Sequence, residues 1–284
     1  MLKRVAVVVI AGWLALGVAG PTVSQPVPET APAPTLEPVT TERLHPALRL
    51  DRIAEVIAAE AAAQAAEGVP PDRNLLQAVR TEVTPGRIEA LTRAALDRAL
   101  ATSQSPAIAP AIRFLETPLG QRYVTLQLSA RRAMVDASGR AAALAGFEAA
   151  AAGGDARIGQ IRRLIAAGDM VEPTVASSMG ASLAFMRGLV ESGAATLSEK
   201  EVLALVWAEA PALQAENQGW IKALLFLALG PLSDAEVERL IREAQTPASR
   251  RLDALVQTAF DAAMTQIMRD TGRAVGVVSR LQSL

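Results

Sequence analysis

Apolar residues recur along most of this chain at intervals of three and four, the spacing that keeps side chains on one face of an α-helix. Leu50, Ile53, Val56 and Ile57 open the series, and Leu75, Leu76 and Val79 continue it. Ile88, Leu91, Ala95 and Leu96 follow, then Leu119, Tyr123, Leu126, Met134 and Phe147. Later stripes are Ile158, Ile161, Leu164 and Ile165, then Val175, Met179, Leu183, Met186 and Val190. The last runs through Leu252, Leu255, Val256, Phe260, Met264, Ile267 and Met268. The pattern predicts an all-α helical bundle.

Helix breakers and caps punctuate these stripes. Pro46 reads as the first residue of the folded part, since a first-turn proline loses no helical hydrogen bond. Gly68-Val69-Pro70-Pro71 stops that helix, and Thr84-Pro85 and Ser105-Pro106 launch others. Thr117-Pro118 opens what reads as the longest segment, bent at Gly139 and closed by Gly153-Gly154. The chain turns again near Pro173. Ser198 to Glu201 and Ser233 to Glu236 have the spacing of capping boxes, a serine at the helix start and a glutamate three residues on that reaches back. Between them Trp220 to Leu232 is almost continuously apolar apart from Lys222, too short to span a membrane and so expected as a buried spine.

One junction occurs twice. Phe114-Leu-Glu-Thr-Pro-Leu-Gly-Gln-Arg122 returns more faintly as Glu243-Ala-Gln-Thr-Pro-Ala-Ser-Arg-Arg251. Over Ile112 to Ala130 and Ile241 to Ala259, identity falls at Ile112, Arg113, Thr117, Pro118, Arg122, Leu126 and Ala130. Pro118 and Pro247 suit first helical positions, and Thr117 and Thr246 can cap them through the hydroxyl. Each Thr-Pro is expected to end one helix and begin another. The internal repeat predicts two similar halves, 44–153 and 154–284.

Phe114, Thr117, Pro118 and Gly120, with the downstream Ser129-Ala-Arg-Arg-Ala-Met134, resemble the bacterial domain-of-unknown-function family numbered 2059, whose motif is an aromatic followed by Ser/Thr-Pro-x-Gly. The resemblance implies an exported helical protein and supplies no reaction. In the second copy Glu243 stands at the aromatic position and Ser249 at the glycine, so a shared role is not carried over to it.

Composition adds an address. Lys3 and Arg4, the apolar run Val5 to Ala19 and the small residues Ala19, Gly20 and Ser24 make residues 1–24 a signal peptide, cleaved near Gly20 or Ser24. The alternative is an uncleaved inner-membrane anchor, although the run is shorter than the ~20 residues a spanning helix needs. The prolines that start at Pro21 and go on through Pro26, Pro28, Pro32, Pro34 and Pro38 mark the stretch after the signal, 25–43, as a stiff tether. The expected location is the periplasm. Losing Lys3 and Arg4 takes two from 28 basic residues against 29 acidic ones, which leaves the mature chain at about −3. That balance gives no basic face for nucleic acid.

Hydrophobic residues make up 51% of the chain and aromatics 3%, which favours helix over strand. There is no cysteine, so thiol catalysis, disulfides and thiolate metal sites are excluded. The single histidine, His45, excludes a multi-histidine metal site and reads as a linker or capping residue beside Pro46.

The remaining chemistry is thin. Glu55, Glu60, Glu199, Glu201, Glu236, Glu238 and Glu243 could pair for acid and base work, but solvated helix faces explain them better. Ser198 and Lys200 are neighbours that point apart. Arg131-Arg132, Arg162-Arg163 and Arg250-Arg251 could hold an anion, with Arg122 placed like Arg251 after its Thr-Pro. Met179, Met186, Met264 and Met268 could line an adaptable apolar pocket, or be plain core.

No cofactor, metal or catalytic constellation is expected. The leading expectation is a non-catalytic envelope protein that docks a protein partner or itself through a helical face. The other is a carrier or sensor of an apolar or amphipathic small molecule held between helices. A closed cavity of about 300 Å³ lined by those methionines would favour the carrier. A contiguous exposed apolar patch would favour docking.

Overall fold

The computed structural model describes residues 39–68, 73–102 and 105–281. The signal peptide 1–24, the tether as far as 38 and Val69-Pro70-Pro71 lie outside the described residues. Helices run in order α1 (Thr41–Leu48), α2 (Leu50–Gly68), α3 (Arg73–Glu82), α4 (Pro85–Thr102), α5 (Ala109–Leu115) and α6 (Pro118–Ala133). There follow α7 (Ala137–Ala152), α8 (Ala156–Ala167), α9 (Val171–Glu191), α10 (Glu199–Leu229), α11 (Asp234–Ala244) and α12 (Pro247–Leu281). A 3₁₀ turn, Ser105–Ile108, precedes α5, and no strand occurs among the described residues. The all-α bundle read from the apolar spacing is the observed class.

Several local expectations need correction. The first helix starts at Thr41, ahead of Pro46, which sits inside it. Thr41 to Arg43 therefore belong to the folded part and not to the tether. Burial of Leu44, Ala47 and Leu48 outweighs the one backbone donor that proline lacks. The segment after Pro118 breaks at Met134–Asp136 and does not bend at Gly139. There Asp136 caps α7, its carboxylate accepting from the Gly139 amide at 2.7 Å. A β-carbon on Gly139 would lie 2.0 Å from the Ala133 carbonyl oxygen, so the reversal closes only around glycine. The longest elements are α12 and α10, of 35 and 31 residues.

Both capping boxes form, with Ser198 and Glu201 starting α10 and Ser233 and Glu236 starting α11. Both Thr-Pro junctions are helix breaks. The Thr117 hydroxyl oxygen accepts from the Gly120 amide at 3.2 Å, and that of Thr246 accepts from the Ser249 amide at 3.2 Å.

A core cluster running from Val39 to Val275 draws on both sequence-defined halves. The last helix, α12, lies along α9 and also packs on α3 and α4, while α10 packs on α6, α7 and α9. Backbones approach most closely where α9 crosses α12. A β-carbon on Gly188 would fall 2.1 Å from the Arg269 carbonyl oxygen, and one on Gly272 would fall 2.1 Å from that of Phe185. Met264 and Met268 are buried in this core. Met186 is half-buried beside it and Met179 is half-buried against Leu213 of α10, so the methionine stripe is packing.

Candidate functional site

The motif residues build corners. At the first, the Thr117 hydroxyl donates to the Phe114 carbonyl at 2.7 Å while accepting from Gly120. A β-carbon on Gly120 would lie 2.3 Å from that same carbonyl oxygen, which is why glycine stands there. Arg122 reaches out of the corner to Glu236 at 2.8 Å and to the Pro231 carbonyl at 2.7 Å, joining α6 to the turn between α10 and α11. Its guanidinium is engaged by the protein and is not set to hold an anion.

The second corner replaces the aromatic and glycine together. Ser249, fully buried, donates through its hydroxyl to Glu243 at 3.1 Å and accepts from the Thr246 hydroxyl at 3.0 Å. The two departures from the first copy are thus one hydrogen-bonded pair that holds the same kind of break with different chemistry.

The carboxylates are bound to basic groups, caps or hydroxyls. Glu55 meets Arg52 and Arg132, Glu199 meets Arg187, and Glu238 meets Arg163. Glu201 and Glu236 close the capping boxes, and the serine contacts hold their carboxyls below the usual range. His45 pairs with Glu89 at 2.7 Å across α1 and α4. Tyr123 is buried, and desolvation, helped by the Asp253 carboxylate, pushes its phenol far up, so it stays protonated at neutral pH. Among the described residues no group of three or more acidic or imidazole side chains is arranged to hold a metal.

The arginine doublets separate, because successive helical residues point about 100° apart. Arg131 is buried against Glu60 at 2.7 Å, with its guanidinium 5.0 Å from the Trp220 ring centre, while Arg132 is exposed. Such a pair fixes the α2, α6 and α10 contact, and losing either partner would cost about 3–5 kcal/mol. Arg162 and Arg163 are both exposed and only Arg163 meets Glu238; Arg251 is exposed and Arg250 half-buried.

One surface remains that packing and ion pairs do not explain. Along its whole length α10 buries Val202, Val206, Leu213, Asn217 and Ile221, and Asn217 donates to Ser178 of α9 at 3.1 Å. In its second half α7 covers a further face. Ala223, Leu224 and Ala228 pack with Ala143 and Met134, and Phe147 meets Phe226 edge-on at 6.3 Å. Because α7 begins only at Ala137, beside Ala215 and Gly219, the same face runs on uncovered through the first half of α10. It presents Ala204, Ala208, Pro211, Ala212 and Ala215, all exposed. Leu203, Leu205 and Trp207 flank it, exposed by 37%, 47% and 67%. A cavity of about 210 Å³ opens where α7 begins, walled by Leu144, Gly219 and Trp220.

A second apolar opening, a groove of about 660 Å³, lies between α3 and the end of α12, with Ala78, Ala274, Val277, Val278 and Leu281 along it. None of the methionines lines either opening apart from Met134 in the smaller one.

The α10 face carried a signal in the sequence. Val202-Leu-Ala-Leu-Val-Trp207 is six consecutive apolar residues at a helix start, more than one buried stripe can hide. No protein-family model, no curated protein and no solved structure matches the chain.

Proposed function

We propose that this chain is a non-catalytic interaction protein of the bacterial envelope that docks a helical surface onto the uncovered first half of α10. The supporting observation is Trp207, two-thirds exposed one turn from Leu203 and flanking, with Leu205 on the other side, a face that α7 covers one half-helix further along. Large apolar side chains in water at adjoining positions are the usual mark of a contact surface. Kinship with the family numbered 2059 belongs to the same reading. It is supported by the separate local roles of Phe114, Thr117, Pro118 and Gly120 at one corner, and an ancestral duplication by the second corner at Thr246 and Pro247.

Export to the periplasm rests on residues 1–24; no helix among the described residues is long and apolar enough to cross a membrane. Mass spectrometry of the protein purified from its own envelope reads the mature terminus directly, and an intact Met1 would replace a cleaved signal with an anchor.

The docking face is tested by placing a photo-crosslinking residue at Trp207 or, as a control, at exposed Arg162 in the living cell. A discrete cross-linked species at 207 and none at 162 is expected; equal behaviour at the two positions overturns the reading. The groove between α3 and α12 favours the second reading, a carrier of an apolar or amphipathic small molecule, since about 660 Å³ is the size of a drug-like site. Native mass spectrometry showing a co-purifying molecule that Val277→Glu removes would support it.

A further inference from the structure

The hollow where α7 begins is left open by a residue that packing does not call for. Met134, Leu144 and Trp220 wall it with apolar surface, and Gly219 forms its floor. At Gly120, Gly188 and Gly272 an added β-carbon would strike backbone; at Gly219 it would meet only the Leu144 side chain, at an ordinary contact distance of 3.6 Å. Alanine would therefore fit and would favour the helix. Glycine at 219 serves no close approach of backbones, and its effect is to leave room.

The charges around the hollow do not cancel. Arg140 is matched by Glu67 at 2.6 Å, and Arg131, 5.0 Å from the centre of the Trp220 ring, is matched by Glu60 at 2.7 Å. Glu216 lines the rim, exposed, and among the described residues no basic side chain forms an ion pair with it. It lies one helical turn before Gly219 and Trp220, on the face of α10 that carries them. One negative charge is thus left at the mouth of an apolar hollow.

We propose that the hollow binds a small arylalkylammonium ion, with its ring on Leu144 and Trp220 and its charge against Glu216. The site adjoins the docking face of α10 and shares no residue with the groove between α3 and α12, and it depends on neither reading. Size sets the class: an apolar space of roughly 150 Å³ holds one benzene ring, so about 210 Å³ admits a ring and a short stem. The wall selects an aromatic body, because rings pair with the Trp220 indole and the Met134 sulfur makes favourable contacts with them. Sign follows from Glu216. An ammonium at the end of the stem gains its carboxylate, an alcohol of the same shape does not, and a carboxylate is repelled. Since Glu216 is in water, the gain is that of an exposed pair, up to about five-fold in affinity, and it weakens with salt.

The probe is 2-phenylethylammonium, set against 2-phenylethanol and 3-phenylpropanoate, each titrated into the full purified chain and followed by NMR. Saturable shifts are expected at the Met134 methyl and the Trp220 indole and not at that of Trp207, with a dissociation constant on the order of 0.1–1 mM for a ligand of this size. The alcohol should bind more weakly and the carboxylate most weakly. Glu216→Gln should bring the ammonium down to the affinity of the alcohol and leave the alcohol unchanged. Gly219→Leu, which fills the floor, should abolish binding of all three with helical circular dichroism retained; Leu144→Trp fills the same space from α7 and decides the point if the first variant does not fold. No saturable shift at Met134 and Trp220 up to ~10 mM, a decade above the expected constant, overturns the site. Equal affinity for the three probes, or ammonium binding that survives Glu216→Gln undiminished, overturns the charge assignment and the proposal with it.

Discussion

Gly120 and Ser249 occupy matching places after Thr117 and Thr246, yet one has no side chain and the other has a working hydroxyl. At Gly120 any β-carbon meets the Phe114 carbonyl, so Gly120→Ala forces α5 and α6 apart. It should lower stability by about 1–3 kcal/mol in denaturant titration, the range for overpacking. A change below about 0.5 kcal/mol would mean the corner is softer than drawn. Asp261 behaves differently. Burial pushes its carboxyl above the ordinary value, against hydrogen bonds from Ser177 and Gln257 that pull it down. A folded value above the unfolded one stabilises fully only at low pH, and that contribution is lost as pH rises through the folded value. Ionised Asp261 is therefore a burden at neutral pH. Asp261→Asn keeps its shape and should melt higher than the parent at pH 7, with the gap closing as pH falls toward 4. Exposed carboxylates such as Glu191, held below the usual range by Arg269 and Arg273, respond oppositely but equally in both proteins and cancel in the difference.

Between elements, the tightest constraint is the crossing of α9 and α12. With Gly188 and Gly272 in backbone contact, a methyl on either strikes a carbonyl that a helix cannot move alone. Gly272→Ala should thus lower the melting midpoint by several degrees, the scale of a loss of 1–3 kcal/mol. Gly86→Ala, in open space at the start of α4, should not. Of the elements themselves, those set by local chemistry were legible in the sequence. Ser198, Ser233, Thr117 and Thr246 cap within a few residues of themselves, so spacing alone announces them. The start of α1 was not, because Pro46 is a strong local signal that burial of Leu44 and Leu48 overrides. The Met134–Asp136 reversal was missed although Asp136 and Gly139 stood at cap spacing, since an apolar stripe runs on either side. The exposed half of α10 left only the apolar run Val202 to Trp207 as its trace: apolar periodicity shows which faces want cover and not where the covering helix stops.

Across the whole molecule, the two halves divide the sequence without dividing the packing. Core residues of α3 and α4 lie against α12, and those of α6 and α7 against α10. A chain built this way should unfold in one transition by heat, with circular dichroism and Trp fluorescence coinciding. Residues 39–153 expressed alone should melt without a cooperative step. A sharp transition in that fragment would make the first half a domain in its own right. Arg87 ties the start of α4 to Asp270 in α12 across 183 positions, so closing this fold is strongly non-local.

That closure also bears on when such a molecule sets during its own synthesis. Until α12 has been synthesised, the greasy flanks of α3, α4 and α9 lack the helix that seals them, and the nascent polymer remains slack. The helix that completes the interior follows every other described helix along the chain, which postpones solidification of all that emerges before it.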